Sequence, residues 1–308
     1  MRENMWGKKI TALLLTMVLF FMFLAADRAK EEPEKNAWEH MQDVAAEKAA
    51  FIEEKIQDIE EYVHSMAALA EKIYSDPDTY PDKEVALPIP ESRIPAAQLL
   101  AAADLDISDG RNAKEVLKLG NMQDLLIEYY EQNPMVSSVY IATEKGWMIQ
   151  VDSSAYRKYQ EGMEYPAPYE AAERPWYILA RTAAPGQVVY TEVFQDINTS
   201  NDYIVCAAPV YCDGKMVAVV GVDLYLETLE EMISQTRIGE CGYTLLVDEN
   251  ERIIASSQRE GEIEMDDTAA YLVSKSLSSL DWRVITVMDA EKVFSGKCNT
   301  TNNHNKPH

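Results

Sequence analysis

The chain has 308 residues, 47% of them apolar and 26% charged, which leaves room for about two globular domains and excludes a disordered or fibrous chain. Lys and Arg total 28 against 52 Asp and Glu, a formal net charge of -24. Such a surface repels phosphate backbones and anionic headgroups, so nucleic acid is excluded as a partner. The first element is residues 10–26, an unbroken run of apolar and hydroxyl side chains that follows Arg2, Lys8 and Lys9 and stops at Asp27. It lies at the short end of what spans a bilayer, and its basic flank places residues 1–9 in the cytoplasm and everything after Asp27 outside the cell. A cleaved signal peptide is the rival, since Ala25 and Ala26 close the run in the manner of a cleavage site. An anchor is preferred because the next segment reads as a helix continuing out of the membrane.

Residues 27–75 form that segment. From Trp38 the apolar positions are Met41, Ala45, Ile52, Ile56, Ile59, Val63, Met66, Ala70 and Ile73, alternating steps of four and three from Ile52 onward. One long stalk helix is predicted, about forty residues and roughly 60 Å at about 1.5 Å each. Asp76-Pro77 and Tyr80-Pro81 stop it. The same stripe fits a coiled-coil seam, so a homodimer through this helix is compatible with the pattern.

Residues 76–111 are punctuated by Pro77, Pro81, Pro88, Pro90 and Pro95 and read as an irregular connection with a short helix at 96–103. An amphipathic helix at 114–131 ends before Asn133-Pro134. The pattern then turns to period two. A hairpin is predicted from 136–142 and 147–151, then helical turns at 174–184, and strands at 187–194, 203–211 and 215–224, the last two joined at Asp213-Gly214. A five-stranded antiparallel sheet flanked by helices makes 76–235 an α+β module. After a helix at 226–235, residues 236–296 repeat the scheme in brief, with a hairpin at 243–247 and 252–256, a helix at 267–280 and a closing strand at 282–287. The polar residues 297–308 are expected to be disordered.

Cys206, Cys212, Cys241 and Cys298 are irregularly spaced, which indicates neither a zinc site nor a disulfide framework, and they read as buried thiols. His40 and His64 fall in the stalk, His304 and His308 in the tail, so no metal triad or histidine-based catalytic pair can be assembled. Gly239-x-x-Gly242 lacks the lysine of a phosphate loop. No catalytic site, metal or cofactor is expected.

The most informative stretch runs Tyr169-Glu-Ala-Ala-Glu-Arg174-Pro175-Trp176-Tyr177. It offers one guanidinium, one indole N–H and two phenols, the groups a small zwitterion asks for. The guanidinium matches a carboxylate bidentately; phenol and indole offer hydrogen bonds and π faces to an ammonium. The opposing carboxylate must come from elsewhere in the chain; Asp223, inside Val220-Gly-Val-Asp-Leu224, needs a partner or a turn in so apolar a strand.

The layout and these residues resemble the extracytoplasmic double Cache (dCache) sensor family over about 29–294. That resemblance implies an α+β fold: a long N-terminal helix followed by two PAS-like Cache modules with antiparallel sheets, the membrane-distal one (76–235) larger and ligand-binding, and 236–296 membrane-proximal. Amino-acid-binding members carry a Tyr, an Arg, a Trp-Tyr pair, a Tyr-x-Asp and a late Asp, matched here by Tyr169, Arg174, Trp176, Tyr177, Tyr190-Thr-Glu192 and Asp223. It implies that Arg174 and Trp176 hold a ligand carboxylate, that Tyr177 and Asp223 hold its ammonium, and that Tyr169 and Tyr190 line the pocket. Glu192 departs from the family's Asp and adds a methylene, which bears on side-chain selectivity.

The implied function is sensing a small amino acid at the cell membrane for signal transduction, as in chemotaxis, without catalysis. Pocket closure is expected to move the long helix by an ångström or two. A secreted binding protein, or a sensor of an amine or organic acid, are the alternatives. Family members usually continue into a second membrane span and a cytoplasmic effector. Neither follows Phe294, so a fragment of a longer receptor or a shortened chain is expected.

Overall fold

The computed structural model describes residues 3–85, 96–152, 167–195, 202–236, 238, 242–258 and 270–295, with side chains from residue 34 onward except at 167 and 294. Helix α1, Glu3–Ser75, ends where expected. Asp76 makes the last helical hydrogen bond, to the Lys72 carbonyl at 3.0 Å, and Pro77 has no N–H to make the next. Residues 10–26 are helical within α1, but their side chains fall outside the described set, as does the whole of 297–308. Among the described residues no helix is long and apolar enough to cross a membrane.

The chain divides into two compact units, residues 53–229 and residues 1–52 with 230–308. In the larger unit the α1 stripe is used internally: Ile56, Ile59, Val63, Met66, Ala70 and Ile73 are all at most 3% exposed. The apolar seam that suggested a dimer is therefore already covered, and a second copy would have to meet α1 on another face. Ile56→Val removes one buried methyl group and is expected to lower stability by about 0.5–1.5 kcal/mol in urea denaturation.

This unit contains β1 (Ala97–Ala101), α2 (Gly110–Leu119), α3 (Gln123–Gln132), β2 (Val136–Thr143), β3 (Trp147–Asp152), β4 (Ala167–Pro168), α4 (Pro175–Arg181), β5 (Val189–Tyr190), β6 (Phe194–Gln195), β7 (Asp202–Cys212) and β8 (Lys215–Tyr225). The sheet has eight strands, not five, in the order β4-β1-β3-β2-β8-β7-β5, with β6 also on β7. Three predictions fail here for physical reasons. The Ala- and Leu-rich 96–103 segment favours helix, but β1 is a fully buried strand, antiparallel to β3 and parallel to β4. Pairing on both edges outweighs helix preferences of a few tenths of a kcal/mol per residue. The 114–131 helix is broken by a 3-10 turn at Gly120–Met122, where the Lys83 carbonyl occupies the place a Cβ at residue 120 would need. The strand expected at 187–194 is two short ones, β5 and β6.

Strand alternation gives the sheet two different faces. Val139, Ile141, Ile149, Val151, Val220, Val222, Ile204, Cys206 and Ala208 form a fully buried, largely aliphatic one. Helix α3 packs on β2 and β3, and the Tyr190 hydroxyl, on the partner residue of Cys206, donates to Glu60 of α1 at 2.9 Å. The other face carries Ser138, Tyr140 and Ala142 of β2, paired with Asp223, Gly221 and Val219 of β8. It also carries Met148 and Gln150 of β3, and Val205 and Ala207 of β7. Helix α4 covers this face through Trp176, Tyr177 and Ala180.

The other unit holds β9 (Gly242–Val247), β10 (Ile253–Ser256), β11 (Ala270–Ser276), β12 (Arg283–Asp289) and α6 (Ala290–Phe294), with sheet order β10-β9-β12-β11. Helix α5 (Glu227–Ser234) straddles the unit boundary along the chain. Ala37, Met41 and Val44 of α1 pack with Ile238, Met288 and Val293, and the Tyr271 hydroxyl donates to Glu34 at 2.6 Å. The helix expected at 267–280 is instead strand β11. Its contiguous Tyr271-Leu-Val273 fits either period, and pairing with β12 along Ala270–Ser276 decides it: Tyr271 and Val273 turn to the core while Leu272 is 57% exposed. Of the cysteines within reach, Cys206 is buried and free as expected, and Cys212 is free but only half-buried.

Candidate functional site

Helix α4 is started by the sequence feature that drew attention to this region. Pro175 fits the first helical position, where its missing N–H costs nothing, and Arg174 stands extended as the N-cap residue. Trp176 and Tyr177 follow at once, and their rings meet edge-on with centroids 5.6 Å apart.

Trp176 turns toward the sheet and meets Tyr140, with ring centroids 4.6 Å apart and planes tilted by 47°. Arg174 is exposed and its guanidinium carbon lies 4.6 Å from the centroid of the Tyr169 ring. Tyr169 is itself pinned by its backbone N–H, which donates to the Ala101 carbonyl at 2.8 Å. Burial pushes the Tyr169 phenol above its ordinary value. Arg174 pulls it down, Asp223 pushes it up, and hydrogen bonds from Trp176 and Arg174 pull it down again. One phenol thus feels both the guanidinium and the carboxylate.

Asp223 is half-buried on β8 and accepts from the Tyr140 hydroxyl at 2.9 Å. Tyr140 lies against Gly221, where any Cβ would collide with its ring. Burial first, and then the Asp223 charge, hold the Tyr140 phenol well above its usual range, so it stays a neutral donor. Tyr203 and Phe194, paired across β6 and β7 with centroids 4.0 Å apart, pack at the edge of the same cluster.

Arg174, Trp176, Tyr169 and Asp223 are therefore brought together. Of the other three expected site residues, Tyr177 packs edge-on against Trp176 in the same buried cluster, with ring centroids 5.6 Å apart, while Tyr190 and Glu192 lie elsewhere. Tyr177 is fully buried, with the Arg181 guanidinium carbon 5.3 Å from its ring centroid; burial raises its phenol, and the charges acting on it are those of Arg181 and Glu144. Tyr190 shares the α1 face with Cys206 and donates to Glu60; burial, then Cys206 and Glu60, raise its phenol. Glu192 is exposed in the segment between β5 and β6. The residue that sequence reasoning missed is Tyr140. Its signal was the alternation Ser138, Tyr140, Ala142, which sets polar and small groups opposite the aliphatic Val139 and Ile141.

Tyr190→Phe is expected to cost about 1 kcal/mol of stability through the lost hydrogen bond and to leave ligand affinity at the Arg174–Asp223 site unchanged, measured by denaturation and titration in parallel.

The family model for the Cache domain matches residues 29–296. The chain is similar to the methyl-accepting chemotaxis protein McpC of Bacillus subtilis, 26% identical over 62% of this chain and 30% of that protein. PctB of Pseudomonas aeruginosa, another methyl-accepting chemotaxis protein, is 25% identical over 53% of this chain and 29% of its own length. The chain thus spans less than a third of the length of these curated relatives. Among solved structures, the sensory domain of the Campylobacter jejuni chemoreceptor Tlp3 superposes with a TM-score of 0.56 at 14% identity, over 86% of this chain and 98% of that one. The ligand-binding domain of the Pseudomonas fluorescens chemoreceptor CtaA, solved with L-isoleucine, gives 0.52 at 16% identity, over 87% and 98%. At these identities the likeness is one of fold. The extent of the family match, together with a long N-terminal helix feeding two largely antiparallel sheets, establishes that this chain belongs to the double Cache (dCache) family of sensor domains.

Proposed function

We propose that this chain is the extracytoplasmic ligand-binding part of a membrane chemoreceptor and that its larger unit, membrane-distal in this reading, captures a small amino acid without transforming it. Arg174 and the Trp176 indole N–H take the ligand carboxylate, and Asp223 takes its ammonium. Tyr169 lines the space between them. The observation that carries this is that the Arg174 guanidinium carbon lies 4.6 Å from the Tyr169 ring centroid while Trp176 packs on Tyr140, whose hydroxyl donates to Asp223 at 2.9 Å. One cation and one anion thus stand on the same aromatic cluster, the balance of charge a zwitterion requires. The chemotaxis proteins and chemoreceptor domains similar to this chain support the receptor role; CtaA was solved with L-isoleucine, and the PctB domain with L-Gln.

Residues 10–26 anchor the receptor in this reading, and ligand capture is relayed through α1. The test is a thermal-shift screen of the full chain against amino acids, simple amines and organic acids. An amino acid at a hundred times its dissociation constant is expected to add about 2.7 kcal/mol of stability. Stabilisation by amines or organic acids but by no amino acid would overturn the proposal.

A further inference from the structure

Beside Asp223 the pocket face carries a strip of polar side chains that main-chain recognition does not use. The strand registers place them in order: Asp223 opposite Ser138, Ser138 opposite Asp152, and in the next row Tyr140 opposite Gln150 and Gln150 opposite Gln98. Directly paired residues share a face, so all lie on the side of the sheet that Trp176 covers. The rest of that face is apolar or small, through Leu100, Met148, Ala142, Val219 and Ala207. A polar strip beneath an apolar cover needs a reason.

The hydrogen bonds define what the strip still offers. The Gln150 amide nitrogen donates to the Ser138 hydroxyl at 2.8 Å and to an Asp152 carboxylate oxygen at 3.1 Å, so both its hydrogens are committed. Gln98 is only 5% exposed, and its amide nitrogen has no hydrogen-bond partner among the described residues. The strip thus holds a buried donor awaiting an acceptor, next to carboxylate, hydroxyl and amide oxygens that accept.

We infer that this strip receives the side chain of the amino acid, and that the side chain is a carboxamide. This rests on the amino-acid reading above. Among neutral amino-acid side chains of sufficient reach, a carboxamide brings a carbonyl for the Gln98 donor and an NH2 group for the acceptors around Asp152. A cationic side chain brings no acceptor for the Gln98 donor; an anionic one brings acceptors only and has no hydrogen for the oxygens of the strip; an aliphatic one leaves the buried donor unmet, the mismatch a polar site rejects most strongly.

The test is calorimetric titration of the full chain with L-glutamine, L-asparagine, L-leucine and L-norvaline, repeated on Gln98→Leu and Gln98→Met. Both variants remove a buried unpaired amide and are expected to melt no lower than the parent. The parent is expected to bind at least one carboxamide amino acid ten-fold or more tighter than either aliphatic one, and both variants to lose most of that ratio while still binding L-leucine or L-norvaline. Aliphatic amino acids binding as tightly as the carboxamides, or a ratio unchanged in folded Gln98 variants, would overturn the inference and leave the amino-acid reading intact. Binding of no amino acid at all would remove both.

Discussion

Asp223→Asn is expected to abolish amino-acid binding while leaving the chain folded. Asparagine keeps an oxygen that accepts from Tyr140, whose hydroxyl lies 2.9 Å from the Asp223 carboxylate, but it removes the charge that faces the ligand ammonium. Removing one partner of a desolvated, hydrogen-bonded charge pair costs about 2–5 kcal/mol, which is about 30-fold to about 5,000-fold in affinity. Asp223→Ala is expected to lose the same affinity and, in addition, some stability, because the buried Tyr140 donor is then left without its acceptor. Titration and urea denaturation on the two variants separate these effects. Equal affinity in the parent and Asp223→Asn would remove Asp223 from the binding site.

Gly221→Ala is the second change of large expected effect, and it touches no ligand. A Cβ at 221 would overlap the Tyr140 ring, with Cζ at 2.7 Å and the hydroxyl oxygen at 2.8 Å. Tyr140 lies in the buried cluster with Trp176 and Val205, so its ring has little room to retreat. Overpacking of this kind costs about 1–3 kcal/mol, and the displaced Tyr140 no longer holds Asp223. Affinity is expected to fall at least ten-fold, alongside a lowered denaturation midpoint. Adding Tyr140→Ala relieves the overlap, so the stability losses of the two changes are expected to be less than additive. Strict additivity would show that the ring and the glycine do not share this space.

The parts of the fold that were legible in the sequence are those where local pattern and tertiary demand agree. The α1 stripe ends at Asp76-Pro77, and the β7–β8 hairpin turns at Asp213-Gly214, where both residues have positive φ. Where they disagreed, pairing won. The helix-favouring Ala97–Ala101 became a strand because β3 and β4 take its two edges, and Tyr271-Leu-Val273 followed β12. The site divides in the same way. Arg174, Trp176, Tyr169 and Asp223 are the expected site residues that the fold brings near one another. Tyr177 is buried beside Trp176 in the same cluster, and Tyr190 falls on the α1 face because its partner in the ladder is Cys206. Tyr140 and the Gln98–Gln150 strip were invisible to motif reading. Their significance comes from which residues of separate strands lie opposite one another, and period two within a strand gives only the face, not the neighbour.

The central claim, recognition of a zwitterion by opposed charges, is tested most directly by titrating the full chain with its tightest-binding amino acid, the corresponding α-amide and the corresponding acid lacking the α-amine. Each analogue leaves one half of the site unmatched, Arg174 and Trp176 in the first case and Asp223 in the second. Both are expected to bind at least about 30-fold more weakly than the amino acid, consistent with a loss of about 2 kcal/mol or more for each unmatched charge. An α-amide or a deaminated acid that binds as tightly as the parent amino acid would contradict the account.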